Sequence, residues 1–436
     1  MLRSIYSLAL ILACVLAAPA AEPILFKNVK VFDGKSDKLT GPTSVLVVGN
    51  KIAKIGNETG GAEKAIVIDG SGKTLMPGLI DAHVHLAMAS IPISVLLSAD
   101  AGYIHHHAGK EAERTILRGF TSVRDASGPV FGLKRAIDEG LLPGPRVFPS
   151  GAMISQTAGH GDFRMPYDVP KQVLSRSELL GAGIVADGAP AVMKAAREQL
   201  LQGATQLKLA AGGGVASNFD PLDVSQFSEE ELRAAVNAAD DWGTYVTVHA
   251  YTPKAIRRSV EAGVKCIEHG QLMDDGIAML LAEKGVWLST QPFLDDEDAI
   301  PIQDPVGRKK QLQMTDGTDL SIRLAIKHKV KMAWGTDSLF DGKHSAKQGK
   351  QLAKMARWLE PHKVLRMATA DNAALLAMSG ERNPYPGKLG VVEVGALADL
   401  ILVDGNPLEN LNLVADPVKN FVVIMKDGKI YKNGLK

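Results

Sequence analysis

The first candidate for chemistry lies in Pro77-Gly78-Leu79-Ile80-Asp81-Ala82-His83-Val84-His85, where an apolar run closes on two histidines. A spacing of two puts both imidazoles on one side of an extended strand. With a neighbouring anion, such a pair can hold a divalent metal. Taken alone, His-x-His is weak evidence, because core and surface pairs are common. Lys208 is a second candidate, set between Gln206-Leu207 and Leu209-Ala210-Ala211-Gly212-Gly213-Gly214. A charged lysine inside such a run is costly to bury, so its pKa is expected to fall. A neutral amine can take up CO₂ as a carbamate, an anionic bridge between two metals. The plainer reading, an edge lysine reaching for solvent, is the stronger one for Lys208 in isolation. His249 closes Tyr245-Val246-Thr247-Val248, His269 closes Val264-Lys265-Cys266-Ile267-Glu268, and Asp337 closes Met332-Ala333-Trp334-Gly335-Thr336. A carboxylate ending a buried strand needs a partner. Separate structural reasons for all six residues are jointly improbable, and one shared metal centre accounts for them together.

The elements that must position these residues alternate along the middle of the chain. Candidate strands end at His83-Val84-His85, Val123-Arg124-Asp125, Phe148-Pro149-Ser150 and Leu207-Lys208-Leu209. Four more end at Val248-His249-Ala250, Glu268-His269-Gly270, Ser289-Thr290-Gln291 and Gly335-Thr336-Asp337. Helical segments lie between them; Ser228-Glu229-Glu230-Glu231 is a capping box opening a run to Trp242, stopped by Gly243. Eight strand–helix units in about 300 residues fit a (β/α)₈ barrel, an α/β fold whose catalytic residues sit at the strand C-termini. A doubly wound sheet alternates in the same way, but no Gly-x-Gly-x-x-Gly follows the first strand. Residues 22–75 and 381–436 read differently, as short β runs broken at Asp33-Gly34, Gly49-Asn50, Asp69-Gly70, Asp404-Gly405 and Asp427-Gly428. The two ends are expected to build one small β-sandwich around a barrel spanning 76–380.

Composition excludes several other classes. The 49 basic and 48 acidic residues leave a formal charge of +1, with no basic stripe to suggest a nucleic-acid surface or a polybasic membrane patch. Residues 1–21 read as a signal peptide: Arg3 supplies the positive region, Leu8 to Ala18 the apolar one, and Ala18-Pro19-Ala20 a cleavage site. The apolar stretch is too short for a membrane span, so the mature protein is expected in the periplasm or secreted. Leu12 and the apolar residues after Cys14 argue against a lipoprotein. Removal of the leader leaves Cys266 as the remaining cysteine, and no intrachain disulfide can then form.

With these motifs in view, the sequence resembles the amidohydrolase superfamily, of the binuclear carboxylated-lysine type. It is most similar to the imidazolonepropionase-related branch of Xaa-Pro and Xaa-Arg dipeptidases and carboxypeptidases, which includes ochratoxin-hydrolysing amidases. The resemblance runs through essentially the whole mature chain. It is carried by Met76 to His85, Ser155-Gln156-Thr157-Ala158-Gly159-His160, Lys208 with its glycines and His249-Ala250-Tyr251-Thr252-Pro253. It continues through Glu268-His269-Gly270, Gly335-Thr336-Asp337 and Ala396-Leu397-Ala398-Asp399-Leu400. It implies that His83, His85 and Asp337 bind one metal, that His249 and His269 bind another, and that carboxylated Lys208 bridges them. Zinc is the implied metal, with a shared hydroxide attacking the scissile carbonyl and Asp337 carrying its proton to the leaving amine. It further implies a small peptide or N-acyl amino acid as substrate and a homo-oligomer, an octamer being among the assemblies expected.

On the substrate side, the resemblance gives His160 a contact to the substrate carbonyl and its oxyanion. Tyr251, two residues past His249, is a hydrogen-bond donor for the same region. Arg164 could clamp a free α-carboxylate through its fork, with a structural ion pair to Asp162 as an equal alternative. The glycine-rich stretch Gly212–Phe227 is expected to be a mobile lid. His105-His106-His107 reads as a helix or loop feature, since three consecutive side chains on a helix cannot converge on one ion. Two rivals stay open. A mononuclear deaminase or cyclic-amide hydrolase would lack Lys208 and commonly carry Glu or Gln where Thr252 stands, and a non-catalytic scaffold would have lost ligand types that are all present.

Overall fold

The computed structural model describes residues 22–57, 63–170, 173–217, 219–300 and 302–435. Residues 1–21, expected to be a signal peptide, and Asn218 of the glycine-rich stretch lie outside the described residues.

Eight parallel strands form the barrel: β1 (Leu79–Val84), β2 (Phe120–Asp125), β3 (Arg146–Pro149), β4 (Leu207–Ala210), β5 (Val246–Ala250), β6 (Cys266–His269), β7 (Trp287–Thr290) and β8 (Lys331–Trp334). Neighbours pair in parallel from β1 to β3 and from β4 to β8. Two seams close the ring. Thr205 N–H donates to Pro149 O at 2.8 Å between β3 and β4, and Asp337 N–H donates to His83 O at 2.9 Å between the end of β8 and β1. Every residue of β1 to β7 is buried, as a parallel sheet covered by helices requires. The strands end within a residue of where the sequence placed them except β8, which stops at Trp334 and leaves Asp337 in the turn beyond it, and there is one addition. Met153–Ser155 pairs in parallel with Gly183–Val185 on one side and touches β4 at Leu209 on the other, the two short strands flanking the insertion that carries His160.

The helix Glu229–Asp241 starts as expected: Ser228 accepts from Glu231 N–H while the Glu231 side chain returns to Ser228 N–H. Gly243 follows at φ +66°, the left-handed position that ends a helix.

The two chain ends meet in one sheet. Thr74–Pro77 lies between Ile24–Val31, which it pairs in parallel, and Leu400–Val403, which it pairs antiparallel. Phe421–Lys426 and Lys429–Asn433 extend one side, and Thr43–Val48 and Lys51–Ile55 the other. Phe26, Val45, Leu75, Leu400 and Val423 form its buried core. The runs at 24–26 and 29–32, separate in the sequence, join as one strand through an irregularity between Phe26 and Val29, with Asn28 at φ +59°. Arg146 at the foot of β3 ties barrel to sheet, reaching Asp399 at 2.9 and 3.1 Å and Asp427 at 2.7 Å. Among the described residues, no helix is long and apolar enough to cross a membrane.

Candidate metal centre

The C-terminal ends of β1, β4, β5, β6 and β8 surround the floor of a cavity of about 340 Å³. His83 and His85 come from β1 and the residue after it, Lys208 from β4, His249 from β5, His269 from β6 and Asp337 from the turn beyond β8; all six line that cavity. One ligand atom each from His83, His269 and Asp337 lies within 4.8 Å of the others. Asp337 Oδ1 is 3.4 Å from His83 Nε2 and 3.0 Å from His85 Nε2, and its Oδ2 is 3.9 Å from His269 Nδ1. His249 packs edge-on against His269, ring centroids 4.6 Å apart. Both His269 and Asp337 hold positive φ, +78° and +50°, an unusual conformation that clusters at functional sites. Gly335 lets the end of β8 approach so closely: a Cβ there would stand 2.4 Å from His83 Cβ.

Each imidazole spends one nitrogen on a fixed acceptor, and the second nitrogen of His85 also meets Asp337. His83 Nδ1–H points to Glu268 at 2.7 Å and His85 Nδ1–H to Ser127 O at 2.9 Å. His269 Nδ1–H points to Gln291 Oε1 at 2.8 Å, and His249 Nε2–H to Gly213 O at 3.1 Å. Such outer contacts fix tautomer and ring orientation at metal sites. Burial keeps the rings neutral, lowering His83 to about 4 and His269 to about 3, and pushing His249 well below the usual histidine range. Burial also opposes charge on Lys208, 2% exposed, and draws its ammonium below the lysine range against the pull of Glu268 and Asp337. At His85 burial is outweighed by the hydrogen bond and charge of Asp337, so its pKa rises. Asp337 itself stays well below the carboxylate range, because the surrounding histidines overcome its burial. A carboxylate facing the Nε2 atoms of both His83 and His85 needs a proton or a cation between them. The donor set of imidazoles, one carboxylate and a lysine poised to be neutral therefore fits divalent metal ions.

A model of the amidohydrolase family matches residues 74–432. This chain belongs to the amidohydrolase family. Ochratoxinase of Aspergillus niger is 32% identical to this amidohydrolase over 412 residues, covering 89% of this chain and 83% of that one. A solved prolidase complexed with N-methylphosphonate-L-proline superposes with a TM-score of 0.86 at 35% identity, covering 94% of this chain and all of the other. A solved Xaa-Pro dipeptidase with methionine bound in its active site gives 0.83 at 31% identity, covering 94% and 100%. The amidohydrolase is thus a hydrolase acting on amide bonds.

The predicted substrate residues divide. His160 and Tyr251 join the cavity. His160 stacks on His249 with centroids 4.0 Å apart, and burial lowers its pKa to about 4. Tyr251 packs between His249 and His269, 4% exposed, and burial raises its phenol so that it stays a neutral donor. Arg164 does not join them. Its guanidinium is taken by Asp162 at 2.7 Å and by Thr157 at 3.3 Å, the structural ion pair rather than a carboxylate clamp. The three consecutive histidines lie on the helix Ala101–Leu117, with His105 and His106 exposed. Beyond the metal residues, Met88, Phe163, Phe293, Met314, Leu339 and Phe340 give the cavity an apolar wall.

The sequence reading passed over Arg124 and Glu268. Glu268 accepts from His83, from Arg124 Nη2 at 2.5 Å and from Thr247, and both charged side chains are fully buried. A signal was available, since opposite charges in two uniformly apolar strands must find each other.

Proposed function

We propose that the amidohydrolase releases a C-terminal amino acid from a dipeptide of the Xaa-Pro kind or from an N-acyl amino acid of the ochratoxin kind, using two divalent ions. The supporting observation is the convergence of His83, His85, Lys208, His249, His269 and Asp337 on one cavity floor. His83, His85 and Asp337 would hold one ion, His249 and His269 the other, with a carbamate on Lys208 between them. When bound, the ions, zinc by the chemistry of these donors, supply a hydroxide at near-neutral pH and polarise the scissile carbonyl.

The chain's own residues do the rest. Asp337, ionised and beside the histidines, accepts the proton of the nucleophile and passes it to the leaving amine. His160 and Tyr251 donate hydrogen bonds to the developing oxyanion. The wall of Phe163, Phe293 and Leu339 takes the apolar part of the substrate and keeps water away from the reacting bond. Export by the 1–21 leader and assembly as a homo-oligomer belong to the same reading; N-terminal sequencing of exported protein and light scattering test them.

Metal analysis combined with a hydrolysis screen of Xaa-Pro, Xaa-Arg and Xaa-Phe dipeptides and N-acyl amino acids, with added zinc, decides the main proposal. Two ions per chain and release of the C-terminal amino acid are expected. A single tightly held ion, or turnover confined to cyclic amides or amino-purines, would overturn it.

A further inference from the structure

We propose that Ser217 and Lys310 are positioning residues that lock the imidazole of His160 in the orientation its oxyanion role requires, a proposal that rests on the reading of His160 given above. Gly214, Ser217 and Asp220 are fastened to the helix Pro305–Lys327 by one buried ammonium. Lys310 Nζ donates to Gly214 O at 2.9 Å, Ser217 O at 2.6 Å and Asp220 O at 3.0 Å, so its three N–H groups staple three points of the same turn. Asp220 tightens the turn by accepting from Gly214 N–H at 2.8 Å and Gln226 Nε2 at 3.2 Å, while Gln226 Oε1 accepts His160 N–H at 2.9 Å.

The stapled turn presses directly on the catalytic ring. A Cβ on Gly214 would come 1.8 Å from His160 Nδ1. The glycine thus serves close packing against the ring. Ser217 Oγ stands 2.7 Å from Nδ1 and 3.3 Å from Gly214 O, a carbonyl that Lys310 already engages. The nearer acceptor takes the hydroxyl proton, which places the ring's own proton on Nε2, the nitrogen left to donate to an oxyanion. Lys310 acts at second hand, by holding Ser217 and Gly214 against the ring.

Steady-state kinetics on Ser217→Ala, Ser217→Thr, Lys310→Met and His160→Ala, with metal content and amide hydrogen exchange measured on each, test the assignment. Ser217→Ala is expected to lower kcat on the order of tenfold or more, with KM within about twofold and metal content unchanged, because a misplaced catalytic group costs turnover first. Ser217→Thr, which keeps the hydroxyl, should regain most of that loss. Lys310→Met should show a similar fall in kcat with faster exchange across residues 213–220, and should add little to Ser217→Ala in the double variant. Wild-type kcat in Ser217→Ala, or fully additive losses, would overturn the proposal provided His160→Ala is itself impaired. A fully active His160→Ala would instead defeat the oxyanion reading on which it rests.

Discussion

Nδ1 of His83 lies 2.7 Å from a carboxylate oxygen of Glu268, a contact that joins β1 to β6 across the inside of the barrel. Arg124 on β2 and Thr247 on β5 hold the other oxygen. Four strands thus meet beneath the candidate metal ligands in one buried hydrogen-bonded unit. The charge of Arg124, above all, outweighs the burial that would otherwise protonate Glu268, and His83 Nε2 is left aimed at Asp337.

Glu268→Gln removes the charge and keeps the shape. Metal affinity should fall about 10- to 100-fold, the usual effect of losing an outer-shell partner. Stability should drop by about 3–5 kcal/mol, because Arg124 is left buried without its counter-charge. Metal titration and denaturant unfolding measure the two effects, and an unchanged affinity would remove Glu268 from the metal centre's support.

Acid should destabilise the metal-stripped protein. His83 and His160 sit near 4 and His269 near 3 in the folded chain, against about 6.5 when unfolded. Between those values the unfolded state binds more protons, so stability falls as pH drops from about 6.5 towards 4. His249, also lowered by burial, adds to this fall, whereas His85, raised by Asp337, and the carboxyls of Asp81 and Asp125, raised by burial to about 6 and about 7, work in the opposite direction. Midpoints of urea unfolding across that range, compared between the wild type and His269→Asn, provide the check; an equal slope in the two would contradict a neutral, buried His269 ring.

Lys208→Ala should abolish hydrolysis and reduce the metal bound below two ions per chain. Wild-type protein loaded with carbon-13 bicarbonate should give a carbamate resonance that this variant lacks. Substantial activity in Lys208→Ala would exclude the lysine as a bridge.

Arg164→Ala should leave KM within about twofold for substrates with a free carboxylate, since Asp162 and Thr157 already occupy the guanidinium. Comparing free and amidated dipeptides isolates the carboxylate contact. A large rise in KM for the free acid alone would restore Arg164 to the substrate site.

Asp399→Ala should cost about 1–3 kcal/mol, because Arg146, 6% exposed between the barrel and the terminal sheet, keeps only its contact to Asp427. Metal affinity should not change, because Arg146 stands at the foot of β3, on the opposite end of the strands from the cavity. Thermal unfolding with and without zinc separates the two.

The positions of the barrel strands and of the residues at their ends were legible locally. Each strand is a short, uniformly apolar run, and a histidine, lysine or aspartate closing such a run stands out against it. In a parallel barrel all strand C-termini share one face, so the identity of the last residue says which side chains will gather there. Contacts between residues far apart in sequence were not legible in this way. Arg124 and Glu268 were visible as buried charges without being recognised as partners. Lys310 follows Arg308 and Lys309, so the sequence offers only a solvated basic face, yet the turn of its helix aims it alone into the interior. The glycines of 212–214 announced freedom, but the tertiary structure uses Gly214 to seat a ring.

The sequence by itself determined the barrel, the β-rich ends and the chemical types brought to the cavity floor, because these follow from the period and polarity of each run. Tertiary structure alone decided that His83 leans on Glu268, that Arg164 turns away to Asp162, and that Lys310 braces His160. These outcomes depend on barrel curvature and on how the loops pack over the strand ends. Neither is encoded in any one stretch of chain.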